Sequence, residues 1–247
     1  KMFPEAGPAY AQDNTIFLEM LRRVPPQTKR NGPRVYLADS CVEGNYQATR
    51  YSQWKLLGRT LSFTVDLSDA GCSCLAAFYL VPMIPVGKWA GACGGDRYCD
   101  ANYVCDVGCS EIDILEANQH ALHATTHTNG DGAGRASGLG GSRFDLSSDD
   151  YGPAAKIIDT RGEFRVHAFF PLVNGKLGQI EVVLQQEERV TRPIHIGSSS
   201  YNAKLTDDLK AGVTPVMSYW SDASMSWLGG GVCPADSVHL QDACGST

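Results

Sequence analysis

The sequence is poor in charge, since only 19% of its 247 residues are charged and the formal net charge is −6. No cluster of basic residues with interleaved aromatic residues occurs, so nothing supports a nucleic-acid partner. No uncharged apolar run reaches the length that spans a membrane, so we expect no membrane partner either. The opening KMFPEAGPAY has no signal-peptide apolar core and no initial Met, which fits a processed, secreted product. We expect a monomer.

The paired CxxC spacing of zinc sites is also missing, although the chain contains nine cysteines. The tightest pair, Cys72 and Cys74, has one residue between its members. Disulfide bonds formed in an oxidising compartment are the better interpretation, so we expect a secreted, extracellular protein. Because the number is odd, at least one cysteine is free or bonded to another chain.

Short segments rich in β-branched and aromatic residues recur along the chain, separated by Gly, Pro, Asp and Asn. They predict strands at 15–21, 34–39, 60–67, 75–83, 111–117, 123–128, 163–172, 179–186, 190–196, 214–220 and 237–243. Segment 60–67 alternates cleanly and places Leu61, Phe63, Val65 and Leu67 on one face. Only 205–212 predicts a helix. With no repeat or linker, the pattern favours one all-β sandwich domain over residues 1–247.

Three carboxylates lie within six residues inside one predicted strand, in the segment CSEIDILEAN. Side chains alternate between strand faces, so Glu111 and Asp113 share one face while Ile112 and Ile114 point into a core. A regular strand would place Glu116 on the opposite face. One β-bulge after Ile114 would return it to the face of the other two acids.

Such a trio has the components of glycoside hydrolysis with retention of configuration. That reaction needs a nucleophilic carboxylate and a carboxylic acid roughly 5–5.5 Å apart, and their mutual repulsion raises one pKa. We assign Glu111 as nucleophile, Glu116 as general acid and then base, and Asp113 as the group that orients Glu111. A solvated strand face would look the same, so the hexapeptide alone leaves both interpretations open.

Further segments favour the active-site interpretation. They are GPRVYLAD, KLLGRTLSFTVDLS with AAFYLVPM, RYCDAN, CSEIDILEAN, YGPAAKIIDTRGEFRV, VMSYWSD with WLGG, and CPADS. In this order they resemble the family 7 glycoside hydrolases, the fungal cellobiohydrolases and endoglucanases, over roughly residues 15 to 240. The laminarinase-type family shares the acidic trio but lacks KIIDT and the SYW strand.

The resemblance implies a concanavalin-like β-jelly-roll sandwich of two antiparallel sheets with an open substrate cleft. It implies the acid roles given above, a β-glucan polysaccharide or oligosaccharide as partner, and no cofactor. It places eight residues against the substrate: Tyr79, Tyr98, Asp100, Asn102, His127, Arg143, Trp220 and Trp227. The two tryptophans match family residues that stack on sugar rings, whose C–H faces are apolar. It also implies the disulfides Cys72–Cys233 and Cys99–Cys109.

Metal binding has two weak signals. His120, His123 and His127 would share a face if their segment were helical. The segment is rich in Thr and predicts a strand, and the resemblance gives His127 a role without metal, near the leaving group. The glycine-rich segment 128–143 predicts a flexible loop without the GK[ST] of a phosphate loop, and its Asn129/Asp131 pair is a weak calcium signal. We expect no metal site.

Departures from the family pattern concern the substrate. The chain lacks the family's N-terminal portion, and a short segment between Cys99 and Glu111 replaces a long loop region. At four positions this chain has a different residue from the family. Leu115 replaces the usual tryptophan, and Leu75 replaces an asparagine. Asn102 replaces a glutamine, and Gly230 replaces an arginine on the product side. Short loops favour an open cleft and internal cleavage of β-1,4-glucan. Two alternatives stay open: the same mechanism on mixed-linkage or β-1,3-glucan, and a carbohydrate-binding or structural protein that has lost turnover.

Overall fold

The computed structural model describes residues 9–20, 29–42, 50–83, 97–104, 106–222, 225–233 and 244. The strands of these residues, numbered in chain order, are β1 Ala9–Gln12, β2 Thr15–Leu18, β3 Lys29–Tyr36, β4 Ala38–Ser40, β5 Arg50–Tyr51, β6 Thr60–Val65, β7 Cys74–Val81, β8 Glu111–Ala117, β9 Leu122–His127, β10 Arg135–Gly140, β11 Arg143–Phe144, β12 Tyr151–Gly152, β13 Ile158–Asp159, β14 Phe164–Phe169, β15 Leu172–Val173, β16 Lys176–Leu177, β17 Ile180–Gln186, β18 Arg189–Val190, β19 Ile194–Ile196 and β20 Thr214–Asp222. The helices are α1 Ser199–Asn202, α2 Thr206–Ala211 and α3 Ser226–Gly229, with a 3-10 turn at Ala203–Leu205.

Two antiparallel sheets dominate the fold. One has seven strands in the order β11-β10-β9-β8-β7-β20-β3, and the other has five, in the order β18-β17-β14-β6 with β19 beside β17. Apolar side chains from both sheets form the main core between them, including Leu80, Ile112 and Ile114 from one sheet and Val166 and Val182 from the other. The predicted all-β sandwich of two antiparallel sheets is confirmed.

Strand alternation explains how each sheet buries one face. In β14, Phe164, Val166 and Ala168 are buried while Arg165 and Phe169 are exposed. In β6 the same alternation turns the predicted inward face to the core: Leu61 is buried, and Phe63 and Val65 are half-buried and pack against it. Each apolar side chain removed from water stabilises the sandwich.

The seven-stranded sheet is apolar on its other face as well. Leu75, Ala77 and Tyr79 of β7 alternate with core residues and join a second cluster with Tyr98 and Met225. We call this second face, turned away from the five-stranded sheet, the site face. It is partly covered by the loop that begins at Arg97 and by the segment around α3.

Several sequence predictions need correction. The segment 128–143 is not a loop throughout, because it contains β10, which pairs with β9. The strand was not predicted because glycine is not typical of strands. A Cβ at Gly138 would lie 1.9 Å from the Leu122 carbonyl oxygen, so the absence of a side chain allows β10 to approach β9 closely. The predicted strand 190–196 is split around Pro193, which has no N–H to donate. The helices α1 and α3 were missed because four residues show no helical period.

Two tryptophans and the last predicted strand differ in how far the structure describes them. Trp54 is partly buried and packs against the main core. Trp89 and the predicted strand 237–243 lie outside the described residues. None of the helices in the described ranges is long and apolar enough to span a membrane.

Three disulfides join described cysteines. Cys72–Cys233 and Cys99–Cys109 confirm the two predicted pairs, and Cys74–Cys244 adds a third. Cys41 is free and exposed, while Cys93 and Cys105 lie outside the described residues.

Candidate active site

The strand β8 carries the three acids on one face through the predicted bulge. Against β7, Tyr79 is opposite Asp113 and Phe78 is opposite Leu115, so Ile114 is the additional residue. The register with β9 shifts at the same place, between Asp113 and Glu116. The bulge after Ile114 is therefore confirmed, and it brings Glu116 to the face of Glu111 and Asp113.

Glu111 is held by the loop that precedes β8. The backbone N–H of Ala101 donates to its Oε2 at 3.1 Å, and Glu111 as a whole is only 8% exposed. The same loop is closed by the Cys99–Cys109 disulfide. Asp100 turns into this loop, where its Oδ1 accepts the N–H groups of Asn102 and Val104 at 3.0 Å each. Asp100 thus shapes the turn that presents Ala101 to Glu111.

Asp113 forms the centre of a hydrogen-bonded chain. Its Oδ2 lies 3.0 Å from Nε2 of His127, and Nδ1 of His127 lies 2.8 Å from the backbone oxygen of Asp131. A carbonyl oxygen only accepts, so Nδ1 carries a proton and Nε2 faces the carboxylate. Asp113 also hydrogen-bonds Glu111, as the sequence predicted.

The segment that holds His127 is itself anchored. Oδ2 of Asp131 accepts from the Tyr201 hydroxyl at 2.6 Å, and Oδ1 accepts from the N–H of Gly134. Gly134 lies against the imidazole: a Cβ there would come within 2.5 Å of Nδ1. The turn from β9 to β10 is therefore built around the histidine.

Burial sets the proton affinities of the trio. It raises the pKa of Asp113 to about 7 and holds the pKa of Glu111 and of Glu116 well above the usual range. Repulsion from Asp113 raises the pKa of both glutamates further. The Ala101 hydrogen bond and His127 oppose the shift at Glu111. Three neighbouring acids that repel one another away from bulk water cannot all be ionised near neutrality, so the site retains protons there.

Glu116 is half-buried at the far end of the trio. It lies opposite His123 on β9, and the Thr125 hydroxyl donates to its Oε2 at 3.5 Å, a weak contact. Burial is the largest cause of its raised pKa. A carboxylic acid that stays protonated near neutrality has the property that a general acid requires.

Two predicted tyrosines flank the acids on the other side. The hydroxyls of Tyr79 and Tyr98 lie 3.0 Å apart, and burial raises both pKa values. The guanidinium of Arg34 stacks on the Tyr98 ring at 3.7 Å. Both phenols therefore stay neutral, and one of the two hydroxyls donates a hydrogen bond to the other.

The remaining predicted residues occupy the rest of the site face. Trp220 is half-buried on β20, two strands from β8, opposite Leu75. Trp227 projects from α3 with 41% of its surface exposed. Arg143 starts β11 and is near enough to His123 to help lower its pKa.

Asn102 has the weakest link to the acids. It is exposed, and its Oδ1 lies beside Gly132, where a Cβ would be 2.3 Å away. The structure places it on the turn between β9 and β10.

Neither metal signal forms a ligand cluster. Among the described residues, no three His, Cys, Asp or Glu side chains are grouped to hold a metal ion. His123 and His127 share the site face but bond to Gly140 and Asp113, while His120 lines a separate cavity of about 630 Å³. A second cavity, of about 800 Å³, lies behind the sheet against Leu115. Neither cavity is lined by the acidic trio.

Sequence reasoning missed several groups of the site: the Ala101 N–H, Thr125, the Asp131–Tyr201 pair and His123 as a neighbour of Glu116. The alternation of β9 would have put His123, Thr125 and His127 on one face. The missing information was the register of β9 against β8, which follows from the turn between them.

The comparisons with known proteins agree with the fold. The sequence profile described as Glycosyl hydrolase family 7 matches residues 5–108, a span that ends before the acidic trio. Endo-beta-1,4-glucanase celB of Aspergillus oryzae is 27% identical, over 89% of this chain and 66% of that protein. Endoglucanase EG-1 of Hypocrea jecorina is 29% identical, over 81% of this chain and 50% of that protein.

The structural likeness covers more of the chain. The solved structure of endoglucanase I complexed with cellobiose superimposes with a TM-score of 0.73, over 95% of this chain and 73% of that one, at 22% identity. At this identity the likeness shows a shared fold. The chain spans about half to two thirds of the length of these two curated relatives. By sequence and fold together, the chain is similar to members of glycosyl hydrolase family 7.

Proposed function

We propose that this chain is a secreted, retaining glycoside hydrolase that cleaves β-1,4-glucan internally, with residues 1–247 acting as one catalytic domain. The observation that carries the proposal is the bulged strand β8, which gathers Glu111, Asp113 and Glu116 on one face. Three disulfides support an extracellular location. The curated relatives named above are themselves called endoglucanases.

The chemistry proceeds in two displacements. In the first, a Glu111 carboxylate oxygen attacks the anomeric carbon, and the glycosidic bond breaks as Glu116 gives its proton to the departing oxygen. A covalent glycosyl ester of Glu111 results. In the second, Glu116 takes a proton from water, the water oxygen attacks the anomeric carbon, and the ester bond to Glu111 breaks. Two inversions at one carbon give net retention.

The neighbouring groups prepare Glu111 for attack. The Ala101 N–H at 3.1 Å fixes one carboxylate oxygen and favours its ionised form. Asp113 is hydrogen-bonded to Glu111 and is itself held by His127. For attack, the proton that Glu111 and Asp113 share has to lie on Asp113, so that Glu111 is ionised while Glu116 keeps its own proton.

The substrate assignment rests on the site face and on the missing loops. Trp220 and Trp227 offer aromatic surfaces at different points of this face, and aromatic rings stack well on pyranose C–H faces. The short connection from Cys99 to Glu111 leaves little chain to roof a tunnel. An open cleft and endo action on β-1,4-glucan follow, with the substrate as sole partner and no cofactor.

The test is hydrolysis of three glucans by the wild type and by Glu111→Gln. The glucans are carboxymethyl-cellulose, mixed-linkage glucan and laminarin, and the readout is new reducing ends. We expect release from carboxymethyl-cellulose that the variant abolishes, with a fall in viscosity faster than the release of ends. Faster hydrolysis of mixed-linkage glucan or laminarin would show that the enzyme prefers a linkage other than the proposed β-1,4. A folded protein that binds glucan without releasing ends would be a carbohydrate-binding protein instead.

A further inference from the structure

His123 lies next to the general acid without a role in the chemistry above. It is opposite Glu116 in the β8–β9 register, so both side chains are on the site face. It is only 5% exposed. Its Nε2 lies 2.8 Å from the backbone oxygen of Gly140, and since a carbonyl only accepts, Nε2 carries the proton.

The other ring nitrogen has a free lone pair. Burial lowers the pKa of His123, so the ring is neutral near pH 7 and Nδ1 is a hydrogen-bond acceptor. Nδ1 receives no hydrogen bond from the part of the chain that the structure describes. It is also absent from that part's fully buried polar atoms without a partner. Nδ1 is therefore not sealed from solvent.

The ring also touches the exposed tryptophan of the site. The centroids of His123 and Trp227 are 5.9 Å apart at 64°, an edge contact. The backbone beneath them is tightly packed: the N–H of Gly141 donates to the Gly230 oxygen at 2.7 Å, and a Cβ at Gly141 would lie 1.9 Å from the Trp227 oxygen. His123 and Trp227 are thus held in fixed relation beside Glu116.

We propose that His123 is a substrate-binding residue whose Nδ1 accepts a hydrogen bond from a hydroxyl of the sugar that stacks on Trp227. An aromatic face beside a fixed acceptor fits a sugar ring, which combines apolar C–H faces with equatorial hydroxyl donors. Because Glu116 lies opposite His123, this sugar belongs to the departing part of the glucan. The proposal rests on the proposed glucanase function and adds a specificity contact to it.

The test compares two substrates that differ on the departing side. Cellopentaose places a sugar there, whereas 4-nitrophenyl β-cellobioside places an aryl group without sugar hydroxyls. In His123→Leu we expect kcat/KM for cellopentaose to fall about 3- to 10-fold, the size of one neutral hydrogen bond. Release of nitrophenol should be unchanged. His123→Gln retains an N–H donor and an oxygen acceptor, and should recover most of the loss.

A matched control is His167→Leu, which removes a histidine bonded to Ser62 and Gln185 on the five-stranded sheet. This variant should leave kcat/KM unchanged for both substrates. An equal loss on both substrates in His123→Leu, or no loss on either, would overturn the proposal, because the residue would then act through packing or not at all. A glutamine variant as weak as the leucine variant would overturn it too.

Failure of the parent function has a different signature. A folded wild type that releases neither nitrophenol nor reducing ends contradicts the glucanase proposal. The proposed contact between His123 and the sugar is then tested by calorimetry, which measures the binding of cellopentaose to the Glu111→Gln protein with and without the His123→Leu substitution. Weaker binding in the double variant supports the contact. Equal binding, or none in either protein, overturns it.

Discussion

Nε2 of His127 lies 3.0 Å from Oδ2 of Asp113, and both side chains are almost completely buried. This pair ties strand β9 to strand β8 at the centre of the trio. His127 lowers the pKa of Glu111 and of Glu116, against the larger effect of burial. The histidine thereby helps set the pH range over which one glutamate is ionised and the other protonated.

Replacing His127 by Phe should move the pH–rate profile upward. Loss of the imidazole raises the pKa of Glu111, so the acidic limb, where the nucleophile ionises, shifts to higher pH. It also raises the pKa of Glu116, so the alkaline limb shifts the same way. We expect kcat/KM to fall more than tenfold at the wild-type optimum. An unshifted profile, matching that of the His167→Phe control, would show that His127 serves packing alone.

Replacing Glu116 by Gln should separate good from poor leaving groups. A sugar leaving group needs a proton from Glu116, so hydrolysis of cello-oligosaccharides should fall about 10²- to 10⁴-fold. A 2,4-dinitrophenolate departs without protonation, so its first release from the aryl cellobioside should persist as a burst. Glu111→Gln should abolish release from both substrates. Equal losses in the Glu116→Gln variant would contradict the assignment of the acid.

Replacing Glu111 by Gln should stabilise the fold in a pH-dependent way. The folded pKa of Glu111 is raised above its unfolded value, so stability is full below about pH 4 and is lost as the pH rises. The amide cannot ionise, and its oxygen still accepts from Ala101. Tm should therefore rise by several degrees at pH 7 and little at pH 4, as checked by calorimetry.

The control for this effect is Glu163→Gln, which makes the same chemical change at an exposed position. It should leave Tm within about 1 °C at both pH values, since exposed substitutions usually have small effects. A Glu111→Gln gain that is equal at pH 4 and pH 7 would contradict the electrostatic explanation.

Replacing Gly138 by Ala should damage both stability and activity. The new Cβ would collide with the Leu122 oxygen at 1.9 Å, and φ is +148°. Gly138 pairs with His123, so the strand that faces Glu116 would be displaced. We expect a loss of more than about 3 kcal/mol by chemical denaturation. Gly175→Ala, at φ +78° with no atom within 4 Å, should cost only about 1 kcal/mol.

Replacing Cys99 and Cys109 together by Ala should affect Glu111 through the loop. Opening a disulfide with a sequence separation of 10 should cost about 2–3 kcal/mol in stability. The Ala101 N–H lowers the pKa of Glu111, so a looser loop should shift the acidic limb to higher pH. Denaturant titration and a pH–rate profile measure the two effects. A stability loss with an unchanged acidic limb would show that Ala101 keeps its place without the disulfide.

Much of the site could be derived from local sequence. The period-two alternation placed Ile112 and Ile114 in the core and Glu111 and Asp113 on the other face. The five-residue interval to Glu116 required a bulge, and β8 has it after Ile114. The disulfides Cys72–Cys233 and Cys99–Cys109 came instead from the family resemblance, because spacing alone leaves many pairings open.

Glycine-rich sequence defeated the same reasoning. Segment 128–143 lacks the β-branched side chains that signal a strand, yet β10 forms there through pairing with β9. Its glycines are used for close approach to Leu122 and Trp227. Propensity describes a residue's own preference, whereas this strand is stabilised by its neighbours.

The sequence by itself determined the all-β class, the acidic trio and the bulge that unites it, since alternation and turn residues act over a few positions. Only the tertiary structure decided which strands are neighbours and in which register. The tertiary structure places His123 opposite Glu116 and His127 beside Asp113. It also brings Trp227 into contact with His123, although the two residues are 104 positions apart in the sequence. These contacts depend on packing between distant segments, and the local pattern of a chain carries no record of its partner's register.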